Sequence, residues 1–186
     1  PCRRCGHLDT SGLTGLALEI GPPTTLKIPP FKDNDMDRPS SHLLRRGRVS
    51  EPGRLYVLTS VVNERAPLFA DFQLARLFIA QLRFIESTGR ANSLAWVVMP
   101  DHFHWLVELK QGTLAALMRR LKSRSTCFLN KASRREGRLW QQGFHDRALR
   151  RDEDVRAAAR YIVANPLRSG LARNVGDYPH WDCVWL

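Results

Sequence analysis

Regular patterns of hydrophobic and polar positions begin only after about residue 50. "LYVLTSVV" (55–62) is apolar and β-branched and predicts a strand. "DFQLARLFIAQLRFIESTG" (71–89) repeats Phe72, Ala75, Phe78/Ile79, Leu82 and Ile85 at helical spacing, with Asp71 to cap the helix and Gly89 to end it. "SLAWVVM" (93–99) and "HFHWLVEL" (102–109) read as the next two strands, joined by a turn at Pro100-Asp101. "TLAALMRRLKSRSTCFLNKAS" (113–133) predicts a basic amphipathic helix with Leu114, Leu117, Leu121 and Phe128 directed inward. A strand is expected in the latter half of 139–150. A helix follows over 152–165, acidic in its first turn as the helix dipole favours, and halted by Pro166. The order β-α-β-β-α-β plus a helix is the ferredoxin-like (RRM-like) plan: an α+β domain with an antiparallel sheet, and Tyr161 on the added C-terminal helix.

Residues 1–50 are different. "GPPTTLKIPPFKDNDMDRPSS" is rich in proline and small polar residues and has no sustained period, so 1–50 is expected to be a disordered or weakly ordered extension. The folded domain is placed at 51–186. Cys2 and Cys5 form a CxxC followed by His7, but no second ligand pair follows, and zinc needs about four ligands. Four cysteines this scattered do not make a disulfide scaffold. No run approaches the ~18 apolar residues of a membrane span, and no apolar leader is seen. The expectation is a cytoplasmic protein with no membrane partner.

Charge narrows the class of partner. From Lys110 to Arg173 there are 16 Lys or Arg against 5 Asp or Glu, and the rest of the chain balances, so the whole net charge of +11 lies in this block. Such a block is the footprint of a polyanion, with nucleic acid favoured over an anionic lipid surface or a merely solvated basic face. Twenty-four of the 29 basic residues are arginine, whose planar fork suits phosphate. Arg119, Arg120, Lys122 and Arg124 on the basic helix are the candidate phosphate contacts.

The candidate chemistry lies in "VVMPDHFHWLVEL" (97–109). Side chains alternate along a strand, so His102, His104, Leu106 and Glu108 share one face, and Phe103, Trp105, Val107 and Leu109 take the other. Two imidazoles about 6.5–7 Å apart along a strand can converge on one divalent ion. They can equally be two partly buried structural histidines. On the last helix Tyr161 and Asn165, four apart, fall on one face. Taken singly, Tyr161 also reads as a core-edge tyrosine and Asn165 as a helix cap. Tyr56 and Tyr178 have no candidate ligand four residues on. Trp140 and Phe144 suit either base stacking or the core.

The segments "WVVMPDHFHWLVEL", "LWQQGFHDRALR" and "ARYIVANPLRSGL", in this order and spacing, together with the closing "GDYPHWDCVWL", resemble the REP-associated tyrosine transposases. These are a branch of the single-tyrosine HUH endonucleases, related to insertion-sequence transposases that act on single-stranded DNA. The resemblance runs from about Gly53 to the C-terminus. It implies that His102 and His104 bind a divalent ion, Mg²⁺ or Mn²⁺, that Tyr161 is the nucleophile, and that Asn165 is a further metal ligand. Related insertion-sequence enzymes usually carry glutamine at that last place; this chain has the shorter asparagine. His145, Arg147 and Arg150 lie in a family-like segment and are assigned to DNA contact or site support.

What the resemblance implies is an endonuclease and strand transferase that forms a 5′-phosphotyrosine. Its expected partner is a single-stranded DNA hairpin of the repetitive extragenic palindrome type. It is expected to be a monomer and to be nucleoid-associated when bound to DNA. The rival reading is a domesticated hairpin-binding protein that keeps the fold and the basic surface but does no chemistry. A ferredoxin-like RNA binder would instead want aromatics on the open sheet face, where this chain has His102 and His104.

Overall fold

The computed structural model describes residues 50–150 and 154–185. The expectation for the N-terminal extension falls outside them, Ser50 excepted. The elements are β1 (Leu55–Val61), α1 (Phe72–Ser87), β2 (Ala91–Val98), β3 (His102–Leu109), α2 (Leu114–Ser133), β4 (His145–Ala148), α3 (Val155–Val163), α4 (Asn165–Arg168) and β5 (Trp181–Cys183). Local chemistry sets several ends. The Asp71 carboxylate accepts from the backbone N–H of Gln73 and Leu74, and the Thr113 hydroxyl accepts from Ala116. Asp154 caps α3 by accepting from Arg156.

The strands form one antiparallel sheet in the order β4-β1-β3-β2-β5. The first four make the ferredoxin-like α+β arrangement that the element order predicted. β5 adds a fifth strand beyond β2, an element the sequence pattern did not indicate.

Because β3 is the central strand, its alternation divides the molecule. Phe103, Trp105, Val107 and Leu109 join Leu58, Trp96 and Val98 in a core against α1 and α2. Phe69, Phe78, Phe103 and Trp140 form an aromatic knot there, with ring centroids 4.9–5.8 Å apart. Leu106 faces the other way, with Val57, Ala95, Val97 and Met99, and takes Ala158, Ala159, Ile162 and Val163 of α3.

Three expectations are corrected. Phe128 is 40% exposed; the inward stripe of α2 runs instead through Leu114, Leu117, Met118, Leu121, Ser125 and Leu129. Phe72 stands outside the buried stripe of α1, 51% exposed, with its ring 5.2 Å from that of His180. Pro166 does not halt the helical path. α3 ends at Val163, and Pro166 is accommodated in the first turn of the short helix α4, where its missing N–H would have had no partner. Trp140 belongs to the core, where its indole N–H donates to the Ser125 hydroxyl at 3.0 Å, and Phe144 packs against it. Among the described residues no helix is long and apolar enough to cross a membrane.

Candidate active site

The two histidines lie on the α3 face of β3, their ring centroids 4.9 Å apart and nearly perpendicular. Each ring is held at Nδ1 by a different element. His104 Nδ1 lies 2.7 Å from the Thr59 hydroxyl of β1, the residue directly opposite it in the sheet register. His102 Nδ1 donates to Asp101 Oδ1 at 2.5 Å. Arg65 in turn donates to the other oxygen of Asp101 at 3.1 Å. Glu64 and Arg65 both have positive φ, 57° and 50°, an unfavourable backbone for non-glycine residues. Strain of this kind costs on the order of 1–3 kcal/mol per residue, and here the turn carries Arg65 to the Asp101 carboxylate.

Charge follows from this geometry. His104 is 4% exposed, and burial, reinforced by the neighbouring His102 and Arg168, holds it well below the ordinary imidazole range. It is therefore neutral near pH 7, the form that ligates metals. Burial pushes the Asp101 carboxyl up, but the bonds from His102 and Arg65 outweigh it and hold the group ionised. An imidazole whose Nδ1–H is bound to a carboxylate or hydroxyl oxygen keeps its lone pair on Nε2, which is how protein metal ligands are oriented.

α3 supplies the remaining side chains. Its apolar stripe can sit close to the sheet because Ala158 and Ala159 are small, and Tyr161 and Asn165 stand half-buried at its edge. The Asn165 amide nitrogen donates to the carbonyls of Ile162 (2.9 Å) and Tyr161 (3.4 Å). Its oxygen accepts from Arg168 at 2.7 Å, and the same guanidinium lies 3.7 Å from the centre of the Tyr161 ring. Among the described residues no group of three or more His, Cys, Asp or Glu could hold a metal ion.

The predicted nucleic-acid contacts divide between the two sides of the sheet. His145 and Arg147 of β4 stand opposite Thr59 and Val57, so they share the face of the histidine pair, with Arg150 exposed just beyond. Arg119, Arg120, Lys122 and Arg124 belong to α2, against the opposite face. Arg119 and Arg120 are exposed there and line a concavity of about 420 Å³ with Arg90. Lys122 holds the carbonyls of Gln141 and Gly143. Arg124 donates to Gln81 of α1 at 2.8 Å and lies over the Phe84 ring, 3.6 Å from its centre. Lys122 and Arg124 thus brace the helical layer. Thr59, Asp101, Arg65 and Arg168 were not singled out from sequence. For Arg168 a signal existed, because Tyr161, Asn165 and Arg168 follow the i, i+4, i+7 spacing of one helical face.

Residues 54–165 match the family model described as "Transposase IS200 like". The chain belongs to the IS200-like transposase family. Within it, the REP-associated tyrosine transposase of Escherichia coli K12 is 33% identical over 132 residues, which cover 68% of this chain and 74% of that protein. A solved REP-associated tyrosine transposase bound to a REP hairpin has the same fold, with a TM-score of 0.62 over 72% of this chain and 79% of that one at 24% identity. The IS200-like match ends at Asn165, so Arg168 lies outside the matched segment.

Proposed function

We propose that this transposase-family protein is a metal-dependent endonuclease and strand transferase acting on single-stranded DNA hairpins, with Tyr161 as its nucleophile. The observation that carries the reading is the pair of histidines on β3, held at Nδ1 by Thr59 and Asp101, on the sheet face against which α3, the helix that carries Tyr161, packs. The E. coli relative and the hairpin-bound structural neighbour supply the substrate class.

In this reading the Tyr161 hydroxyl oxygen attacks the scissile phosphorus and forms a P–O bond to the tyrosine. The bond from phosphorus to the 3′-oxygen breaks, the phenolic proton passes to water, and the departing strand ends in a 3′-hydroxyl. The 5′-phosphotyrosine conserves the phosphodiester, so a second 3′-hydroxyl can reverse the step and rejoin DNA without ATP. Mg²⁺ or Mn²⁺, held by His102, His104 and Asn165, would supply the Lewis acidity that polarises the phosphate and offsets its developing charge. Thr59 and Asp101 hold the His104 and His102 rings at Nδ1, and the Asp101 carboxylate, which can only accept, leaves the lone pair of His102 on Nε2. His145 and Arg147 are positioned on this face to contact the strand, while Arg119 and Arg120 offer a second, opposite surface for the hairpin's phosphates.

The test is a labelled single-stranded hairpin incubated with protein and Mn²⁺, read for a covalent adduct on a denaturing gel. Wild type is expected to form it. Tyr161→Phe is expected to bind the hairpin as tightly and form none at any metal concentration. An adduct from Tyr161→Phe assigns the nucleophile elsewhere. Tight hairpin binding by wild type with no adduct under either ion leaves a hairpin-binding protein without chemistry.

A further inference from the structure

The side chain that ties the tyrosine helix together is one to which neither the sequence pattern nor the family model assigns a role. Arg168 sits on α4, one turn past Asn165, where the helical path continues beyond the α3 end with Pro166 in its first turn. Its guanidinium does two things at once. It lies over the Tyr161 ring, 3.7 Å from the centroid, and it donates to Asn165 Oδ1 at 2.7 Å.

A planar cation on an aromatic face restrains that ring by attraction between its charge and the ring quadrupole. The Asn165 carboxamide is held from both ends, its nitrogen by the Ile162 and Tyr161 carbonyls and its oxygen by Arg168. That fixes the orientation of the carboxamide, with Nδ2 turned to the helix carbonyls and Oδ1, the amide atom that can bind a cation, turned to Arg168. An amide oxygen has two acceptor sites, so a bond from Arg168 leaves one for a metal ion.

We propose that Arg168 is a positioning residue, which fixes the Tyr161 ring and presents the Asn165 oxygen as a metal ligand. The inference rests on the function proposed above for the reaction it assists, but the metal-ligand half can be tested without DNA. Lysine cannot replace arginine in this role. Its ammonium is a point charge with no plane to lie on the ring and no rigid fork to divide between ring and amide.

The experiment compares wild type, Arg168→Ala and Arg168→Lys. Mn²⁺ binding to the DNA-free protein is read by the electron paramagnetic resonance signal of the free ion. Adduct formation is then timed at saturating hairpin over a range of Mn²⁺, and hairpin affinity is measured at two salt concentrations. Removing a side chain that orients a metal ligand costs about 10–100-fold in metal affinity or activity. Both variants are therefore expected to bind Mn²⁺ at least tenfold more weakly and to form adduct about 10–100-fold more slowly, with hairpin affinity within twofold of wild type. Three results would overturn the proposal: Mn²⁺ affinity equal in all three proteins or absent in wild type, full restoration by Arg168→Lys, or a loss of hairpin affinity that accounts for the lost rate. The last would make Arg168 a phosphate contact. If wild type forms no adduct, the functional reading fails, and the Mn²⁺ titration still decides the role of Arg168.

Discussion

The two faces of β3 put alternate residues of one strand to different uses. On one side Phe103 and Trp105 are fully buried in an aromatic core under α1 and α2. On the other, the buried packing under α3 holds no aromatic ring and mixes Ala95, Ala158 and Ala159 with Val57, Val97, Met99, Leu106 and Ile162; His102 and His104 lie on this same face of β3. The difference teaches how a small domain can hold a buried imidazole steady. The face with the large rings supplies rigidity, and the other face packs against α3, the helix that carries Tyr161.

The largest effect should come from breaking that division on the packing side. Trp105→Ala removes a fully buried indole that also donates to Ser93 Oγ at 2.9 Å. It is expected to cost about 3–5 kcal/mol, read as a lower urea midpoint. His102→Ala, three residues earlier and on the other face, should cost about 1 kcal/mol or less while abolishing adduct formation. Comparable losses of stability from both substitutions would mean that the histidine face is also structural.

Asp101→Asn sharpens the comparison within the functional face. The amide keeps the shape but gives up the charged acceptor shared by His102 and Arg65. Adduct formation should fall about 10–100-fold and recover in part at higher Mn²⁺, with hairpin affinity unchanged. A rate like that of wild type would show that His102 orients itself without the carboxylate.

The same two faces explain what could be read from the sequence. β3 was legible because strand alternation has a period of two and the residues on its two sides differ sharply in chemistry. α2 was misread at one point for a physical reason. Its buried stripe passes through Ser125, whose polarity disguises an inward position that is satisfied by the Trp140 indole. The pattern therefore ran to Phe128, which instead stands exposed with the Arg124 guanidinium 5.0 Å from its ring centre. β5 is three residues long and exists through its pairing with β2, a non-local fact. Within the site, His102, His104, Tyr161 and Asn165 each had a local signal. Thr59 did not, because its role depends on the β1–β3 register. Lys122 was counted with the phosphate-binding residues from the charge run alone, and only the folded loop shows the two carbonyls it holds.

A smaller effect separates the outer surfaces. Arg119→Glu with Arg120→Glu alters only the α2 side, so hairpin affinity should fall. Its dependence on salt should flatten by about one in log–log slope for each phosphate these arginines no longer neutralise. The adduct rate at saturating hairpin should hold, since the histidine pair and the proposed nucleophile lie on the other side of the sheet. An unchanged salt slope would move the DNA track to the β4 side, where His145 and Arg147 stand.

The smallest predicted change lies where the C-terminal segment joins the functional face. The Tyr178 hydroxyl donates to the Val98 carbonyl at 2.7 Å, at the end of β2 just before the turn that leads to His102. Burial pushes this phenol up to about 12. A group whose folded-state pKa is raised contributes stability fully below its unfolded value, near 10, and loses it as pH climbs through the folded value. Tyr178→Phe should therefore cost about 1 kcal/mol, the usual worth of one hydrogen bond, with the same loss at pH 7 and pH 9. Wild type should then weaken between about pH 10 and 12 by a component that the variant lacks. Adduct formation near neutrality should stay within about twofold of wild type, because ring packing and backbone pairing remain to hold the segment. A much larger fall in rate, at unchanged stability, would make this tether part of what sets the His102 turn.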